Sequence, residues 1–480
     1  MQEGNHNRTS WTICQTCQGR GKTSRRLRKK VRREYQIALD EYEKSNKQGE
    51  PPIRPKAGTD PCKTCSGSGL IKASQPPKPD TENFPHLAII GAGIGGTALA
   101  AACLHRRIPF TLYERDHSFD ARSQGYGLTL QQASKAMQSF GIRSLAQGVV
   151  STKHVMHTTD GQVIGEWGMR KWKPSKAKNT PKRSNVHIAR QALRLALLEQ
   201  VSGHVDIQWG YQLVDFNPNM PAGVELRFQV DGEIKKTTAD LVVGADGIRS
   251  TVRKLWIGEA ASPLQYLGCI VILGICPLAN VQGIESDLLD SATVFQTANG
   301  HERIYMMPYT ADTVMWQLSF PMSEEEAKSL SAQGAAALHE EACRRLPWHD
   351  PIPQILAATP IDLISGYPVY DRKLLTPDSL SDGGPITLIG DAAHPMSPFK
   401  GQGANQALLD ALALARDITK ACKPQSDWKA VGIRDSVLTE FELKMLDRVA
   451  SKVKDSRAAA EFLHTRDVLQ KKDGPRGFDK

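Results

Sequence analysis

The sequence lacks the features of a membrane-spanning or secreted protein. No apolar run approaches the roughly 18–20 residues that a membrane helix needs, and residues 1–20 contain no apolar segment of the kind that a secretory signal requires. Charged residues at 23% and hydrophobic residues at 40% exclude a chain that is disordered throughout. The 480 residues exceed one ordinary domain of about 100–200 residues. We therefore expect a cytoplasmic protein of two or more structural units with no membrane span.

Basic residues are concentrated near the N-terminus. Residues 1–80 contain 17 Lys+Arg against 8 Asp+Glu, whereas the remaining 400 residues contain 44 against 43. The formal net charge of +10 therefore belongs almost entirely to the first 80 residues. This distribution predicts two parts of different construction.

The nine cysteines show the same division. Four of them form two Cys-x-x-Cys pairs, Cys14 with Cys17 and Cys62 with Cys65. Without a secretion signal a disulfide framework is not expected, and paired Cys-x-x-Cys motifs indicate metal ligation. The other five are interpreted as small core hydrophobes. They are Cys103, Cys269, Cys276, Cys343 and Cys422.

Each pair begins the pattern Cys-x-x-Cys-x-Gly-x-Gly, over residues 14–21 and again over residues 62–69. Two such motifs supply four thiolates, which fill the tetrahedral shell of a structural zinc ion. The doubled motif resembles the cysteine-rich repeats of DnaJ-type chaperones. The resemblance covers only about 16 residues and implies a zinc site, not chaperone activity.

The segment between the two motifs starts with seven basic residues in nine, Arg25–Arg33, and continues with helical spacing. A basic helix on a zinc module could contact an acidic protein partner or nucleic acid. The chain has no DNA-binding finger pattern and little aromatic interleaving, so we do not expect nucleic acid as a partner. A solvated helix that spans the two motifs is the simpler interpretation.

A dinucleotide-binding pattern begins after a short apolar strand at residues 87–90. The strand leads into Gly-x-Gly-x-x-Gly and a helix of small residues, and a second strand follows at residues 110–113. The first glycine allows the tight turn, the second allows a pyrophosphate to approach, and the third allows the helix to pack closely on the strand. An acid at the end of the second strand is placed to bind the ribose hydroxyls. These residues are Gly91, Gly93, Gly96 and Glu114.

Two further motifs identify the dinucleotide. Residues 240–253 are an apolar strand that runs into Asp246-Gly247 and a basic helix start, and residues 386–405 are a strand, an acid and a Pro/Gly-rich loop before a helix. With the glycine turn, these motifs resemble, in the same order, those of the single-component FAD-dependent aromatic hydroxylases. That group A flavoprotein family includes para-hydroxybenzoate hydroxylase and the tetracycline-inactivating monooxygenases. The resemblance covers residues 86 to about 420.

The resemblance implies an α/β fold. We expect a Rossmann-like FAD-binding domain, a mixed β-sheet substrate domain, a C-terminal helix and the small N-terminal zinc module. The expected boundaries are a zinc module at 1–75, a linker at 76–85, FAD-binding segments at 86–261 and 376–425, a substrate domain at 262–375 with parts of 120–185, and a C-terminal helical segment at 426–480.

The resemblance also implies the cofactor contacts. Asp391 would bond the ribityl chain, the loop from Pro398 to Asn405 would wall the flavin ring, and Asp246 would touch both FAD and NAD(P)H. A helix cap is the alternative for Asp246. The full expected set is Gly91, Gly93, Gly96, Glu114, Arg115, Gly127, Arg190, Asp246, Asp391, Pro398, Gly401, Gly403 and Asn405. Two nearby residues are interpreted structurally, His394 as a hydrogen-bonding residue and Arg194 as an exposed helix charge.

Strand-like runs between the second and third motifs predict a sheet that roofs the flavin, followed by a helix at about 323–346. Met307, Trp316 and Phe320 are candidates for the substrate pocket, although such residues in strands are more often core. Residues 166–183 form a basic loop with two tryptophans, either a lid or a surface insertion.

The activity implied by the resemblance is monooxygenation. NAD(P)H would reduce FAD, O2 would add at C4a of the flavin, and an aromatic or polyketide-like substrate would be hydroxylated. A reductase or halogenase of the same fold is an alternative, although the Trp-x-Trp-x-Ile-Pro signature of tryptophan-type halogenases is absent. A protein-binding or nucleic-acid-binding scaffold that retains FAD structurally is a further alternative.

Overall fold

The computed structural model describes residues 9–55, 57–121, 126–168, 185–220 and 223–476. The chain divides into two compact units, Met1–Lys78 and Pro79–Lys480. None of the helices in the described ranges combines the length and apolar character that crossing a bilayer requires. Most of the basic loop at 166–183 lies outside the described residues.

Over residues 9–55 and 57–78, the first unit consists of two short antiparallel strand pairs and one helix. In chain order its elements are β1 (Ser10–Ile13), β2 (Lys22–Ser24), α1 (Lys29–Lys44), β3 (Thr59–Pro61) and β4 (Leu70–Ala73). Strand β1 pairs with β4, and β2 pairs with β3. No residue of α1 is buried, which agrees with a solvated helix. The hydrophobic cluster of this unit consists of its four cysteines, with Ile71 packed against them.

The second unit contains most of the strands. They are β5 (Leu87–Ile90), β6 (Phe110–Glu114), β7 (Gly127–Leu130), β8 (Val149–Val150), β9 (Lys153–His157), β10 (Val163–Trp167), β11 (Val186–Ala189), β12 (Gln208–Trp209), β13 (Gln212–Met220), β14 (Gly223–Val230), β15 (Glu233–Ala239), β16 (Leu241–Gly244), β17 (Leu264–Pro277), β18 (Thr293–Ala298), β19 (Arg303–Pro308), β20 (Thr313–Pro321), β21 (Ile364–Arg372) and β22 (Ile386–Leu388).

The helices of the second unit are α2 (Ile94–His105), α3 (Arg190–Val201), α4 (Thr251–Trp256), α5 (Glu324–Ala332), α6 (Ala335–Arg345), α7 (Ile352–Ala357), α8 (Gly403–Ala421), α9 (Trp428–Val431) and α10 (Thr439–Phe462). The single helix predicted at 323–346 is wrong. Two helices, α5 and α6, occupy this range, because Gly334 between them adopts a φ of +89° that interrupts the helical backbone.

A parallel sheet of order β12-β6-β5-β16-β22 forms the centre of the dinucleotide-binding part. Its short strands are apolar on both faces, as in β5 and β16, whose residues are all buried. Helix α2 is buried almost all round. Helices α2, α3 and α8 share one large apolar core with this sheet.

A second sheet has seven strands in the order β10-β9-β18-β19-β20-β17-β21. Strand β18 is parallel to β9, and the other neighbours are antiparallel, so the sheet is mixed. One face packs against α5, α6 and α7 in a separate core. The α/β class with a parallel sheet, a mixed sheet and a long C-terminal helix is confirmed.

Four of the five scattered cysteines are buried as expected. Cys343 on α6 is the exception, because it is exposed.

Candidate functional site

The turn between β5 and α2 is shaped by its glycines. Gly91 has a φ of +102°, and a Cβ at this position would lie 2.7 Å from the carbonyl oxygen of Ala245. A Cβ on Gly96 would lie 1.9 Å from the carbonyl oxygen of Gly91. Gly93 differs, because a Cβ there would meet no atom of the described residues within 4 Å. The outer glycines are thus needed for backbone packing, whereas Gly93 leaves open space at the start of α2.

Hydrogen bonds from two sides fix this turn. The carboxylate of Glu114 accepts a bond of 2.7 Å from the backbone N–H of Ala92, and Arg194 donates from Nε to the carbonyl oxygen of Ala92 at 2.7 Å. The expectation that Arg194 is an exposed charge is wrong. Its side chain is buried, because the guanidinium lies over the rings of Phe119 and Trp209 while it bonds the turn.

A cavity of about 170 Å³ opens beside the turn. Its lining includes Gly91, Gly93, Glu114, Arg115, Arg190 and Asp246. The structure therefore brings residues of the glycine-turn motif and of the Asp246-Gly247 motif together at the carboxyl ends of parallel strands, with Arg190 at the start of α3 beside them. Ligands of open α/β sheets bind in this position.

Asp246 forms a helix cap. Its carboxylate accepts hydrogen bonds from Ser250 Oγ at 2.5 Å and from the backbone N–H groups of Thr251 and Val252 at 2.7 and 3.2 Å. Burial raises the pKa of Asp246, and these bonds counteract the rise. The capping alternative therefore describes this carboxylate, although the residue also borders the smaller cavity.

A larger cavity of about 660 Å³ extends from the glycine turn to the seven-stranded sheet. Seven of the expected contact residues line it, namely Gly93, Gly127, Arg190, Asp391, Pro398, Gly401 and Gly403. Gly93, Arg190, Gly247 and Arg249 border both cavities. The two cavities therefore meet around the start of α2 and α3.

The charges of the larger cavity are unevenly distributed. Among the described residues that line it, Asp391 is the one carboxylate, and five others are Arg or Lys. Burial raises the pKa of Asp391, whereas the positive charges of Arg190 and Arg253 act in the opposite direction. The N-termini of two helices, α2 and α8, also border this cavity. Helix N-termini and basic side chains favour a ligand that carries phosphate groups.

Two of the expected contact residues do not line either cavity. Gly96 lies beneath the turn. Asn405 is fully buried, and its amide accepts bonds from the N–H groups of Gln131 and Ala133 while it donates to the carbonyl oxygens of Thr129 and Gly401. Asn405 therefore holds the Pro/Gly-rich loop against β7.

His394 is a structural hydrogen-bonding residue, as interpreted from the sequence. Its Nε2 lies 2.7 Å from Oδ2 of Asp410, and both side chains are fully buried. Asp410 also accepts from the N–H of Gly390 at 2.8 Å and pairs with Arg448. This network holds the segment that carries Asp391 against α8 and α10.

The sheet side of the larger cavity is formed by alternate residues of β19 and β20. Met307 lines the cavity, whereas Trp316 and Phe320 belong to the core against the helices. Because side chains alternate between the two faces of a sheet, Met307 points to one face and Trp316 and Phe320 point to the other. Residues 303, 305 and 307 of β19 face the cavity together with residues 315 and 317 of β20. Of the three candidates, only Met307 is a pocket residue.

Several residues that line the larger cavity were not predicted from the sequence. They are Tyr126, His154, His187, Arg303, Tyr305, Gln317 and Tyr367. The alternation of residues 303, 305 and 307 was readable in the sequence, but the strand register that aligns Tyr305 with Gln317 was not.

The second candidate site is the cysteine cluster of the first unit. The Sγ atoms of Cys14, Cys17, Cys62 and Cys65 all lie within 4.8 Å of one another and are buried. Backbone N–H groups of Gly21 and Gly69 donate to the sulfurs of Cys17 and Cys65, each at 3.2 Å. These four residues could bind one metal ion.

The two cysteine motifs have nearly the same geometry. Gly19 and Gly21 of the first motif have φ values of 72° and 70°, and Gly67 and Gly69 of the second have 89° and 82°. The hydroxyl oxygens of Thr16 and Thr64, one from each motif, are 3.1 Å apart. Two equivalent knuckles thus place their thiols around one point, and the glycines supply the left-handed turns that aim backbone N–H groups at sulfur.

Comparison with known proteins identifies the second unit. The family model described as "FAD binding domain" matches residues 86–429, which is most of the chain. The chain belongs to the FAD-binding monooxygenase family. It is an FAD-dependent monooxygenase of the group A type, and therefore an oxidoreductase.

Two similar relatives are enzymes. The aurachin C monooxygenase/isomerase of Stigmatella aurantiaca is 30% identical over 330 residues, which are 68% of this monooxygenase and 79% of the relative. The 6-hydroxynicotinate 3-monooxygenase of Bordetella bronchiseptica is 27% identical over 345 residues, which are 69% and 82% of the two chains.

A solved structure shares the fold. HpxO of Klebsiella pneumoniae, in complex with FAD and uric acid, aligns with a TM-score of 0.65 at 19% identity, over 81% of this chain and 93% of that one.

Proposed function

We propose that this monooxygenase uses NAD(P)H and O2 to hydroxylate an aromatic or polyketide-like substrate. The observation that carries the proposal is the larger cavity. It runs from the phosphate-compatible turn at Gly93, past Asp391, to a wall of tyrosine and methionine side chains on the seven-stranded sheet. When bound, FAD would accept electrons from NAD(P)H and activate O2. The protein's own residues would bind the cofactor and the substrate, orient them and exclude water from the site.

The residues around the two cavities fit FAD. The pyrophosphate would lie at the N-terminus of α2 beside Gly93, where Arg190 and Arg249 add positive charge. Glu114 and Arg115 border the smaller cavity and would bind the adenosine half. Asp391 would accept a hydrogen bond from the ribityl chain, and the loop from Pro398 to Gly403 would flank the ring.

The substrate would lie against the sheet side of the larger cavity. Tyr126, Tyr305, Met307 and Tyr367 give this side an aromatic and apolar character that suits a flat ring. Burial raises the pKa of Tyr305 to about 12, so its hydroxyl is protonated at neutral pH. Neutral phenols orient a ring by hydrogen bonding without repelling an electron-rich substrate.

The first unit would hold one structural zinc ion. Four cysteines leave no open coordination position for catalysis, and a chain segment this short buries little apolar surface of its own. Zinc binding would therefore supply much of its folding free energy. The exposed basic segment at residues 25–33 offers a contact surface for an acidic protein partner.

Turnover of the FAD-loaded protein tests the proposed reaction. NADH or NADPH oxidation and O2 uptake are followed across a panel of phenols, hydroxylated quinolines and aromatic ketones, and products are analysed after reaction in 18O2. We expect one substrate class to stimulate NAD(P)H oxidation and to gain one 18O atom. Oxidation of NAD(P)H that produces only hydrogen peroxide with every compound would contradict a hydroxylase and favour a reductase.

A further inference from the structure

Helix α1 carries an apolar face that its own unit leaves uncovered. The members of this face lie on one side of the helix, because most of them are three or four residues apart. Each is only partly shielded from solvent, and no residue of α1 is buried. Among the described residues, the hydrophobic cluster of the first unit contains the cysteines and Ile71 but no residue of α1. The apolar face of α1 consists of Val31, Tyr35, Ala38, Leu39 and Tyr42.

The charges around this face are divided into two blocks. Residues 28–33, the basic block, contain five Lys or Arg and no acid. Residues 34–43, the acidic block, contain four Asp or Glu and no base. Lys30 and Glu34 form an exposed ion pair of 3.8 Å where the two blocks meet. The helix is therefore basic at one end and acidic toward the other.

This order of charges is unfavourable for a helix that stands alone. The N-terminus of a helix favours acids and the C-terminus favours bases. Helix α1 has no acid in its first turn and no side-chain hydrogen bond at its N-cap, and Lys44 is the one base in its last turn. Its 16 residues are close to the length of about 12–15 residues below which isolated helices are marginal. A partner that covers the apolar face and supplies the opposite charges would stabilise α1.

A second copy of α1 in antiparallel orientation has both properties. With a two-fold axis between residues 36 and 37, Tyr35 would lie against Ala38 of the second copy, and Val31 would lie against Tyr42 of the second copy. The apolar face then covers its own equivalent. The same orientation places each basic block alongside the acidic block of the other copy and opposes the two helix dipoles. A parallel orientation would instead place like charges together.

We propose that α1 is a self-association helix through which two copies of this monooxygenase form an antiparallel, two-fold symmetric dimer. The inference rests on the contact surface for an acidic partner in the proposed function, and it identifies that partner as a second copy of the chain. One short helix from each copy covers less than the roughly 1,600 Å² of a standard interface, so the association should be weak and reversible, with a Kd on the order of micromolar.

Sedimentation velocity of the full-length, FAD-loaded protein over a range of concentrations tests the dimer. We expect a reversible equilibrium between monomer and dimer. Hydrogen exchange on the same samples should show protection of residues 29–44 that increases with protein concentration, because dimerisation covers the apolar face. Protection that is the same at every concentration in a monomeric sample would mean that the same chain covers the face, and it would overturn the proposal.

Charge reversal tests the orientation. Arg32→Glu with Arg33→Glu makes both ends of the helix acidic, and Asp40→Lys with Glu41→Lys makes both ends basic. Each double variant should retain FAD, and its homodimer Kd should rise about tenfold or more, because like charges now face each other. An equimolar mixture of the two double variants should form a heterodimer with a Kd within about threefold of the wild-type value, since opposite charges meet again.

Glu340→Lys with Glu461→Lys is the matched control. It changes the net charge by the same amount as the reversal at residues 40 and 41, but at exposed positions outside α1. Its homodimer Kd should equal that of the wild type. An equal loss of dimer in the control would assign the effect to net charge and would overturn the role of α1.

The remaining outcomes separate self-association from other partners. A dimer that neither reversal weakens, or reversed variants that do not associate when mixed, would overturn the antiparallel pairing. Poly-glutamate is the probe for an unrelated acidic partner. A wild-type protein that stays monomeric but binds poly-glutamate, with binding lost in Arg32→Glu with Arg33→Glu, would overturn the dimer and leave the acidic-partner surface of the proposed function standing.

Discussion

Arg194 donates a hydrogen bond of 2.7 Å from Nε to the carbonyl oxygen of Ala92, which lies between the first two glycines of the dinucleotide turn. Glu114 accepts from the N–H of the same residue. Both polar groups of one peptide position are thus held by buried side chains from different elements. The turn is therefore rigid before a ligand arrives, which reduces the entropy lost on binding.

Arg194→Met should weaken FAD binding because it removes this support while the volume stays similar. A lost hydrogen bond from a charged group corresponds to about 1–3 kcal/mol, or a roughly 5- to 150-fold rise in Kd. FAD titration of the apoprotein by fluorescence quenching measures the change. Glu199→Gln, on the exposed side of the same helix, is the control and should leave Kd unchanged. Equal affinities in the three proteins would show that the turn needs no support from α3.

Asp391→Ala should also weaken FAD binding, by about 1–3 kcal/mol, since it removes the proposed ribityl contact. The purified wild-type protein should be yellow and should release FAD on denaturation. Asp362→Ala provides a control, because Asp362 is exposed and lies outside both cavities. A Kd for Asp391→Ala within error of the wild type would remove Asp391 from the cofactor site.

NADH or NADPH should reduce the bound FAD without a partner reductase, because the proposed function needs only one protein. Anaerobic stopped-flow mixing follows the loss of visible flavin absorbance, with and without a phenol. Bleaching that requires an added reductase protein would exclude the single-component mechanism. Comparison of the two nucleotides also identifies the preferred donor.

Cys62→Ser should abolish zinc binding by the first unit, because it removes one of four ligands. We expect one zinc per chain in the wild type by elemental analysis and much less in the variant. The first unit should then become sensitive to proteolysis within residues 9–78 while FAD remains bound. Cys343→Ser is the control, since Cys343 is an exposed thiol outside the cluster. Wild-type protein that is purified without chelators and contains no zinc would refute the site.

Stability of the FAD-loaded protein should fall as the pH decreases from about 7 toward 4. Burial lowers the pKa of His105 to about 4 and that of His187 to about 3, and partial burial lowers the pKa of His464 to about 4. A histidine in the unfolded chain has a pKa of about 6.5, so in this window the unfolded state binds more protons than the folded state. A fall in pH therefore favours the unfolded state over the folded state.

Each such histidine should contribute a slope of about 1.4 kcal/mol per pH unit between its two pKa values. His105→Gln keeps a donor toward the carbonyl oxygen of Phe140 but cannot be protonated. Its unfolding free energy, from urea titrations at several pH values, should therefore vary less steeply with pH. His117→Gln, at an exposed position, should keep the wild-type slope. Parallel slopes for all three proteins would contradict the role of His105.

The sequence by itself determined the local features of this protein. The glycine turn at residues 91–96, the strand ending in Glu114 and the doubled cysteine motif are each contained in a short stretch, where residue type and spacing set the backbone directly. The order of three such motifs was enough to indicate an FAD-binding α/β fold. The glycines of the turn and the spacing of the thiols are each visible within a few residues, so these features were readable.

Only the tertiary structure decided how distant segments meet. The prediction that Arg194 is exposed was wrong, because the rings of Phe119 and Trp209, from elsewhere in the chain, cover its guanidinium. Asn405 was assigned to the cofactor loop, yet it bonds backbone groups at residues 129–133, more than 270 positions away in sequence.

The same holds for the wall of the larger cavity. The alternation along β19 and β20 is visible in the sequence, but which face is covered by α5 to α7 and which faces the cavity depends on packing. For that reason Trp316 lies in the core, whereas Arg303 lines the cavity. Strand register and the covering of one sheet face arise from contacts between segments far apart in the chain, and no local spacing encodes them.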